Sequence, residues 1–291
     1  MTADVFARYQ DVWLPQGPLR VYRAGPEGAP CVVLLHGAML DTAELTWRHL
    51  MPVLARDRQV VAVDMPRHGG SRPWEGLVDQ ARMERVVDEL LDHFGISRAA
   101  LVGLSMGGGV GIGYALARPE RVSGLVAINP GGLDDKRPWQ LLTWLGLQWG
   151  ALLRWSARWV ASPSLLRRSM VKTFTQGEGT RDFEVLMGLI EAEARRRVEH
   201  GERALDDWQI AAFGPWRMRL NHTLVLAGLR VPSLWVHGKL DTLVSEAVMR
   251  RAAESAPRAS YVGIDGAGHV ALLDQPDAVN GAIVSFLDGL D

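Results

Sequence analysis

The chain has 291 residues, 47 % hydrophobic and 22 % charged, enough to bury the core of one large α/β domain with an insertion. Its formal net charge of −1 offers no electrostatic attraction to nucleic acid or to an acidic membrane surface, so neither partner is expected. The single cysteine, Cys31, excludes an internal disulfide framework, the first residues lack an apolar signal core, and the most apolar stretch, Leu141 to Leu153, is too short to span a bilayer. A cytoplasmic protein, monomer or homodimer, acting on a small molecule is the expectation.

In chain order, Phe6 to Leu14 and Leu19 to Ala24 read as an opening strand pair around Pro15-Gln16-Gly17-Pro18. Parallel strands are expected at Val32–Leu35, Val60–Val63, Leu101–Leu104, Leu125–Ile128, Leu234–Val236 and Tyr261–Ile264. Helices are expected near Glu44–Arg56, Asp79–Phe94, Met106–Arg118, Val244–Ala256 and Pro276–Leu287. The alternation breaks between about Leu133 and Leu229. The expected architecture is α/β: a mostly parallel sheet flanked by helices, built from 1–132 and 230–291, with a helical cap over 133–229 inserted after the sixth strand.

The run Gly103-Leu104-Ser105-Met106-Gly107 falls between a buried strand and a small-residue helix, where it reads as a nucleophile elbow. On that sharp turn the serine hydroxyl stands clear of the sheet, and two glycines let strand and helix pass closely. A serine needs a base to take its proton and a carboxylate to orient that base. Later sequence supplies both: Asp241 follows the strand ending at Gly238, and His269 follows the next one. One helix separates those two strands, so they are parallel and both loops leave the sheet at its carboxyl edge, with Ser105. If the serine and aspartate strands are two positions apart, their axes lie ~10 Å from each other. One imidazole with two hydrogen bonds of ~2.8 Å spans that gap.

These segments resemble the α/β-hydrolase-fold serine hydrolases with an inserted cap. Besides the elbow, Cys31-Val32-Val33-Leu34-Leu35-His36-Gly37-Ala38-Met39 is similar to that family's strand and His-Gly oxyanion loop. Asp64-Met65-Pro66-Arg67-His68-Gly69-Gly70-Ser71 resembles its Asp-x-Pro-Gly-His-Gly-x-Ser turn, with Arg67 where glycine is usual. Gly238-Lys239-Leu240-Asp241 and Gly266-Ala267-Gly268-His269 resemble its acid and histidine loops. The resemblance implies catalytic residues Ser105, Asp241 and His269, an oxyanion hole from the backbone N–H groups of Met106 and Ala38 (Met39 being the second choice for the latter), and no cofactor or metal. It implies hydrolysis of small-to-medium apolar carboxylic esters through an acyl-enzyme. The alternatives on the same triad are carbon–carbon bond hydrolysis of dienoate ring-cleavage products and cofactor-free peroxidase chemistry. The carbon–carbon hydrolases usually carry tryptophan directly after the catalytic histidine, where this chain has Val270.

Other residues carry weaker signals. Asp134 follows the preceding strand and is the competing acid; Asp64 reads as a turn cap and His36 as a loop-ordering group. The remaining histidines read as surface or structural. Arg195-Arg196-Arg197 and Arg167-Arg168 read as solvated helix faces. The cap holds seven of the eleven tryptophans, and its first part is apolar nearly all round, which predicts burial on several sides. Met39, Leu243 and Val270 are the expected substrate-pocket residues, under an apolar roof contributed by one or two of those tryptophans.

Overall fold

The computed structural model describes residues 5–290; the polar residues before Val5 in the sequence reading, and Asp291, lie outside them. Eight strands form a single sheet: β1 (Gln10–Leu14), β2 (Gly17–Ala24), β3 (Cys31–Leu35), β4 (Gln59–Val63), β5 (Ala99–Leu104), β6 (Val122–Ile128), β7 (Ser233–Gly238) and β8 (Ala259–Ile264), in the order β1-β2-β4-β3-β5-β6-β7-β8. The β1–β2 and β2–β4 pairs are antiparallel and every later pair is parallel. This is the α/β-hydrolase fold.

Period-two alternation along the strands divides the core between the two faces. Val33, Leu35, Val61, Val63, Leu101 and Leu125 point to one face. There they meet α3 (Gln80–His93), α4 (Met106–Ala117) and α10 (Glu246–Ser255). Val32, Leu34, Val60, Ala62, Val102, Val126 and Val236 point to the other, toward α1 (Ala43–Trp47), α2 (Met51–Leu54), α11 (Ala271–Asp274) and α12 (Pro276–Asp288). Helix α3 shows why the periodicity was readable. Met83, Val86, Val87, Leu90 and Leu91 recur at three- and four-residue spacing on its buried face, and the Asp79 carboxylate caps its start by accepting the Arg82 N–H at 2.9 Å.

Two expectations need correcting. The helix expected over Glu44–Arg56 is broken into α1 and α2, because Pro52 has no N–H to donate to the turn before it. The first strand begins at Gln10, not Phe6; the Phe6 ring instead packs edge-on against Tyr22, centroids 5.2 Å apart.

Between β6 and β7 run five helices, α5 (Gln140–Leu147), α6 (Gly150–Val160), α7 (Pro163–Thr173), α8 (Phe183–Glu199) and α9 (Asp207–Ala212), and no strand of the sheet. An apolar cluster of Leu166, Phe174, Phe183, Leu186, Met187 and Ile190 seats this insertion on Leu45 and Leu273 of the core. A buried ion network fastens it further. Glu193 of α8, fully buried, pairs with Arg72 at 2.5 Å and accepts the Gly69 N–H at 3.1 Å, while Arg67 pairs with Asp207 at 2.7 Å. Arg67 has φ +65°, so the position where the resembling turn carries glycine is left-handed here too, its guanidinium tied across to the insertion. The predicted burial of the tryptophans fails: Trp139, Trp149, Trp155, Trp159 and Trp216 are all more than 60 % exposed, and Trp208 is buried. Helices α5 and α6 turn only one side to the rest of the protein, so their second apolar side has nothing over it among the described residues.

Candidate active site

The site begins at the end of β5. Ser105 sits at φ +51°, ψ −112°, a strained conformation for a non-glycine residue. Three backbone bonds hold it there: its N–H donates to the Ile128 carbonyl at 2.9 Å, and its carbonyl accepts the N–H groups of Gly109 (3.0 Å) and Gly131 (2.9 Å). The flanking glycines are required by close approach. A Cβ on Gly103 would lie 2.3 Å from the Gly107 carbonyl oxygen, and one on Gly107 would lie 2.0 Å from that of Leu35. Both distances are far inside van der Waals contact, so α4 can start directly over the strand ends only with glycine at each position.

Strands β5 and β7 are two positions apart, separated by β6, and the imidazole of His269 bridges them as the spacing argument requires. Its Nε2 lies 2.9 Å from Ser105 Oγ and its Nδ1 lies 2.8 Å from Asp241 Oδ2. The Asp241 side chain is fully buried, and its other oxygen, Oδ1, accepts the N–H groups of Leu243 (2.6 Å) and Val244 (3.2 Å). With the carboxylate accepting at Nδ1, that nitrogen carries the proton, and Nε2 is left as the acceptor facing the serine hydroxyl. Asp134 is elsewhere, in a 2.5 Å ion pair with Arg137.

Asn129, which sequence reasoning passed over as a strand-end residue, binds the loops of this constellation together. At φ +41° it follows β6, donates from Nδ2 to the carbonyls of Gly268 (3.0 Å) and His269 (2.8 Å), and accepts the Gly238 N–H at 3.1 Å. The signal was available: asparagine before Pro130-Gly131 is a residue type that tolerates left-handed backbone and bonds locally. Asp274, also missed, fixes the histidine loop from the other side by accepting the N–H groups of Gly268 (2.8 Å) and Thr175 (2.9 Å).

The loop after β3 faces the serine. His36 is buried and neutral, its pKa held well below normal by burial and then by His68 nearby. Its Nε2 accepts the Met65 N–H at 2.9 Å, so Nδ1 donates to the Gly37 carbonyl at 2.7 Å. Buried Asp41 accepts the Gly37 N–H at 2.7 Å, the Thr42 N–H at 2.8 Å and the Thr46 hydroxyl; burial pushes its pKa up to about 6. Met39 is left-handed at φ +67° and is gripped at both ends by the insertion. Its N–H donates to Asp206 Oδ2 at 2.6 Å, and Arg197, itself paired with Asp206, donates to its carbonyl. Arg197 is therefore buried, not part of a solvated face as expected from the arginine run, while its neighbours Arg195 and Arg196 are exposed.

With its N–H occupied, Met39 drops out as an oxyanion donor. The N–H groups of Ala38 and of Met106, the first residue of α4, donate to no protein acceptor among the described residues. Of the expected pocket residues, Val270 packs beside the apolar cluster of the insertion, Met39 is half-buried in the loop, and Leu243 is exposed next to Asp241.

This fold, with a nucleophile-elbow backbone, defines a class, and comparison with known proteins agrees. Residues 30–276 match the alpha/beta hydrolase fold family, and the chain belongs to it. It is 29 % identical over 271 residues to the dihydrolipoyllysine-residue acetyltransferase component of the acetoin cleaving system of Pseudomonas putida, covering 92 % of this chain and 66 % of that protein, just under two thirds of its length. It is 27 % identical over 265 residues to the 2-hydroxy-6-oxononadienedioate/2-hydroxy-6-oxononatrienedioate hydrolase of Cupriavidus pinatubonensis, covering 89 % of this chain and 87 % of that one. The crystal structure of carboxylesterase CesB (YbfK) from Bacillus subtilis shares the fold with a TM-score of 0.73 at 24 % identity, covering 97 % of this chain and 92 % of that one.

Proposed function

We propose that this enzyme is a serine hydrolase of small-to-medium apolar carboxylic esters, acting through an acyl-enzyme. The observation that carries this reading is the hydrogen-bonded chain from Asp241 through His269 to a serine held at the strained turn. His269 Nε2 takes the Ser105 proton as Oγ attacks the ester carbonyl, and Asp241 stabilises the imidazolium that forms. The tetrahedral oxyanion lies against the N–H groups of Ala38 and Met106, each worth about 3–4 kcal/mol in such sites. His269 passes its proton to the departing alcohol, then activates a water that releases the acid and restores Ser105.

The apolar cluster beside Val270 supports an apolar acyl wall, with Met39 next to the oxyanion loop and Leu243 at the mouth, and the insertion over 133–229 acting as the lid. Among the described residues no helix is long and apolar enough to cross a membrane, and we place the enzyme in the cytoplasm as a monomer or homodimer. The dienedioate hydrolase relative favours a second reading, carbon–carbon bond hydrolysis of a dienoate by the same triad.

Steady-state kinetics on straight-chain p-nitrophenyl esters and on a 2-hydroxy-6-oxodienoate separate the two. Each buried methylene is worth about 0.8 kcal/mol, so kcat/KM is expected to rise roughly tenfold from acetyl to butyryl. Turnover of the dienoate with no measurable ester hydrolysis would replace the first reading by the second.

A further inference from the structure

We propose that the outer face of α5 and α6 is a docking surface for anionic phospholipid bilayers, on which the protein lies without spanning. Within the 21 residues from Trp139 to Trp159, eight large apolar side chains are exposed, and Trp139, Leu142, Trp149, Trp155 and Trp159 are each more than 60 % accessible. Soluble proteins scatter such residues singly, whereas eight of them on two consecutive helices mark a surface that meets something. Four of the eight are tryptophans, the side chain that favours the boundary between hydrocarbon and headgroups.

Charge identifies the occupant. From Lys136 to Gly177 the sequence carries seven basic residues and no acidic one, in a chain whose formal net charge is −1; Arg137 and Arg167 pair with Asp134, Glu178 and Glu184 outside that run, which leaves five. The whole-chain balance, which argues against an acidic surface as partner, conceals this segregation. On α6, at 100° per residue, Leu152, Trp155 and Trp159 form one stripe opposite buried Ala157, and exposed Arg154 and Arg158 form the adjoining stripe. Neither arginine has an ion-pair partner among the described residues. Apolar rings with cations beside them match an interfacial helix, whose rings enter the acyl boundary while guanidinium groups stay at lipid phosphates. A second copy of the chain fits less well, because a two-fold interface here would set two basic segments against each other. The backbone of α6 is anchored behind this face: the Leu153 carbonyl accepts the Ala204 N–H at 3.0 Å, so the stripes are presented on a fixed helix.

The test is co-sedimentation of the full chain with vesicles of pure phosphatidylcholine and with equimolar phosphatidylcholine and phosphatidylglycerol. Binding to the anionic vesicles is expected to be at least about tenfold tighter and to weaken with added salt. The double variants Trp155→Ser with Trp159→Ser, and Arg154→Glu with Arg158→Glu, are each expected to lose about tenfold or more in anionic-vesicle binding. Their thermal unfolding should stay that of the unsubstituted protein, since all four side chains are exposed. Equal affinity for both vesicles, or none for either, would overturn the proposal. So would concentration-dependent dimerisation abolished by the tryptophan substitutions, which would assign the face to a second copy.

Discussion

Asp206, in the helical insertion, accepts the backbone N–H of Met39, in the loop after β3, at 2.6 Å. The contact joins positions 167 residues apart, and it fixes the residue directly after Ala38, whose N–H faces the serine in the proposed mechanism. In the proposed mechanism, the insertion thus sets the position of an oxyanion donor.

Asp206→Asn should therefore act on kcat more than on KM. It weakens the grip on the Met39 N–H and leaves Arg197 with a neutral partner, and displacing a donor by about 1 Å costs on the order of 100-fold. The expected outcome is a fall in kcat of about 10- to 100-fold with KM within about threefold on a short p-nitrophenyl ester. A rise in KM alone would mean that Asp206 shapes the binding pocket and leaves the donor in place.

Stability should carry a pH signature from the same network. Burial opposes charge on His68, but Asp206, 3.2 Å from it, outweighs that and raises the His68 pKa above its ordinary 6.5. Asp206 is pulled the other way: burial works to raise its pKa, and His68 and Arg197 hold it well below 3.8. The histidine's contribution is complete below the unfolded value of about 6.5 and is lost as pH rises through the folded pKa; the aspartate's is complete above about 4 and is lost only in stronger acid. Thermal unfolding midpoints should accordingly decline as pH is raised from about 6.5. His68→Asn should be less stable at pH near 6 yet show a flatter alkaline limb. Parallel alkaline limbs in the two proteins would remove His68 as the cause.

Asn129→Ala tests the bridge between the acid and histidine loops. It leaves the Gly238 N–H and the carbonyls of Gly268 and His269 without their partner and puts alanine at a left-handed position. At about 1–3 kcal/mol per unsatisfied group, partly offset by water, a loss of roughly 2–4 kcal/mol in unfolding free energy is expected from denaturant titration. A change below about 0.5 kcal/mol would place the variant among ordinary surface substitutions and deny the bridge any structural weight.

The sheet, the elbow and the meeting of Ser105, Asp241 and His269 were legible because each depends on local signals: buried strand runs, glycines at a close crossing and loops at one sheet edge. The bridging and clamping residues were not. Asp206, Arg197, Asp41 and Asn129 work through contacts made only once distant segments meet, and a polar residue in a loop gives no sign of which backbone group it will reach. Arg197 shows this sharply: in a run of three arginines, the helical turn buries one and exposes two. The tryptophans misled for the opposite reason, since an apolar segment signals burial against something without naming whether that is the protein itself.

The identity of the acid can be tested by rank. Asp241→Asn should favour the wrong imidazole tautomer and cut turnover by about 10⁴, the size of the effect in a serine protease triad. Asp134→Asn should leave turnover within about threefold, because its carboxylate only pairs with half-buried Arg137. The reverse ranking would move the acid to the loop after β6.

The most direct measurement is covalent capture of the nucleophile. The full chain is incubated with a fluorophosphonate probe, digested and mapped by mass spectrometry, alongside Ser105→Ala assayed for ester hydrolysis. Labelling is expected at Ser105 and nowhere else, with the alanine variant folded, unlabelled and nearly inactive. Labelling at another serine, or a Ser105→Ala variant that hydrolyses esters at the unsubstituted rate, would contradict it.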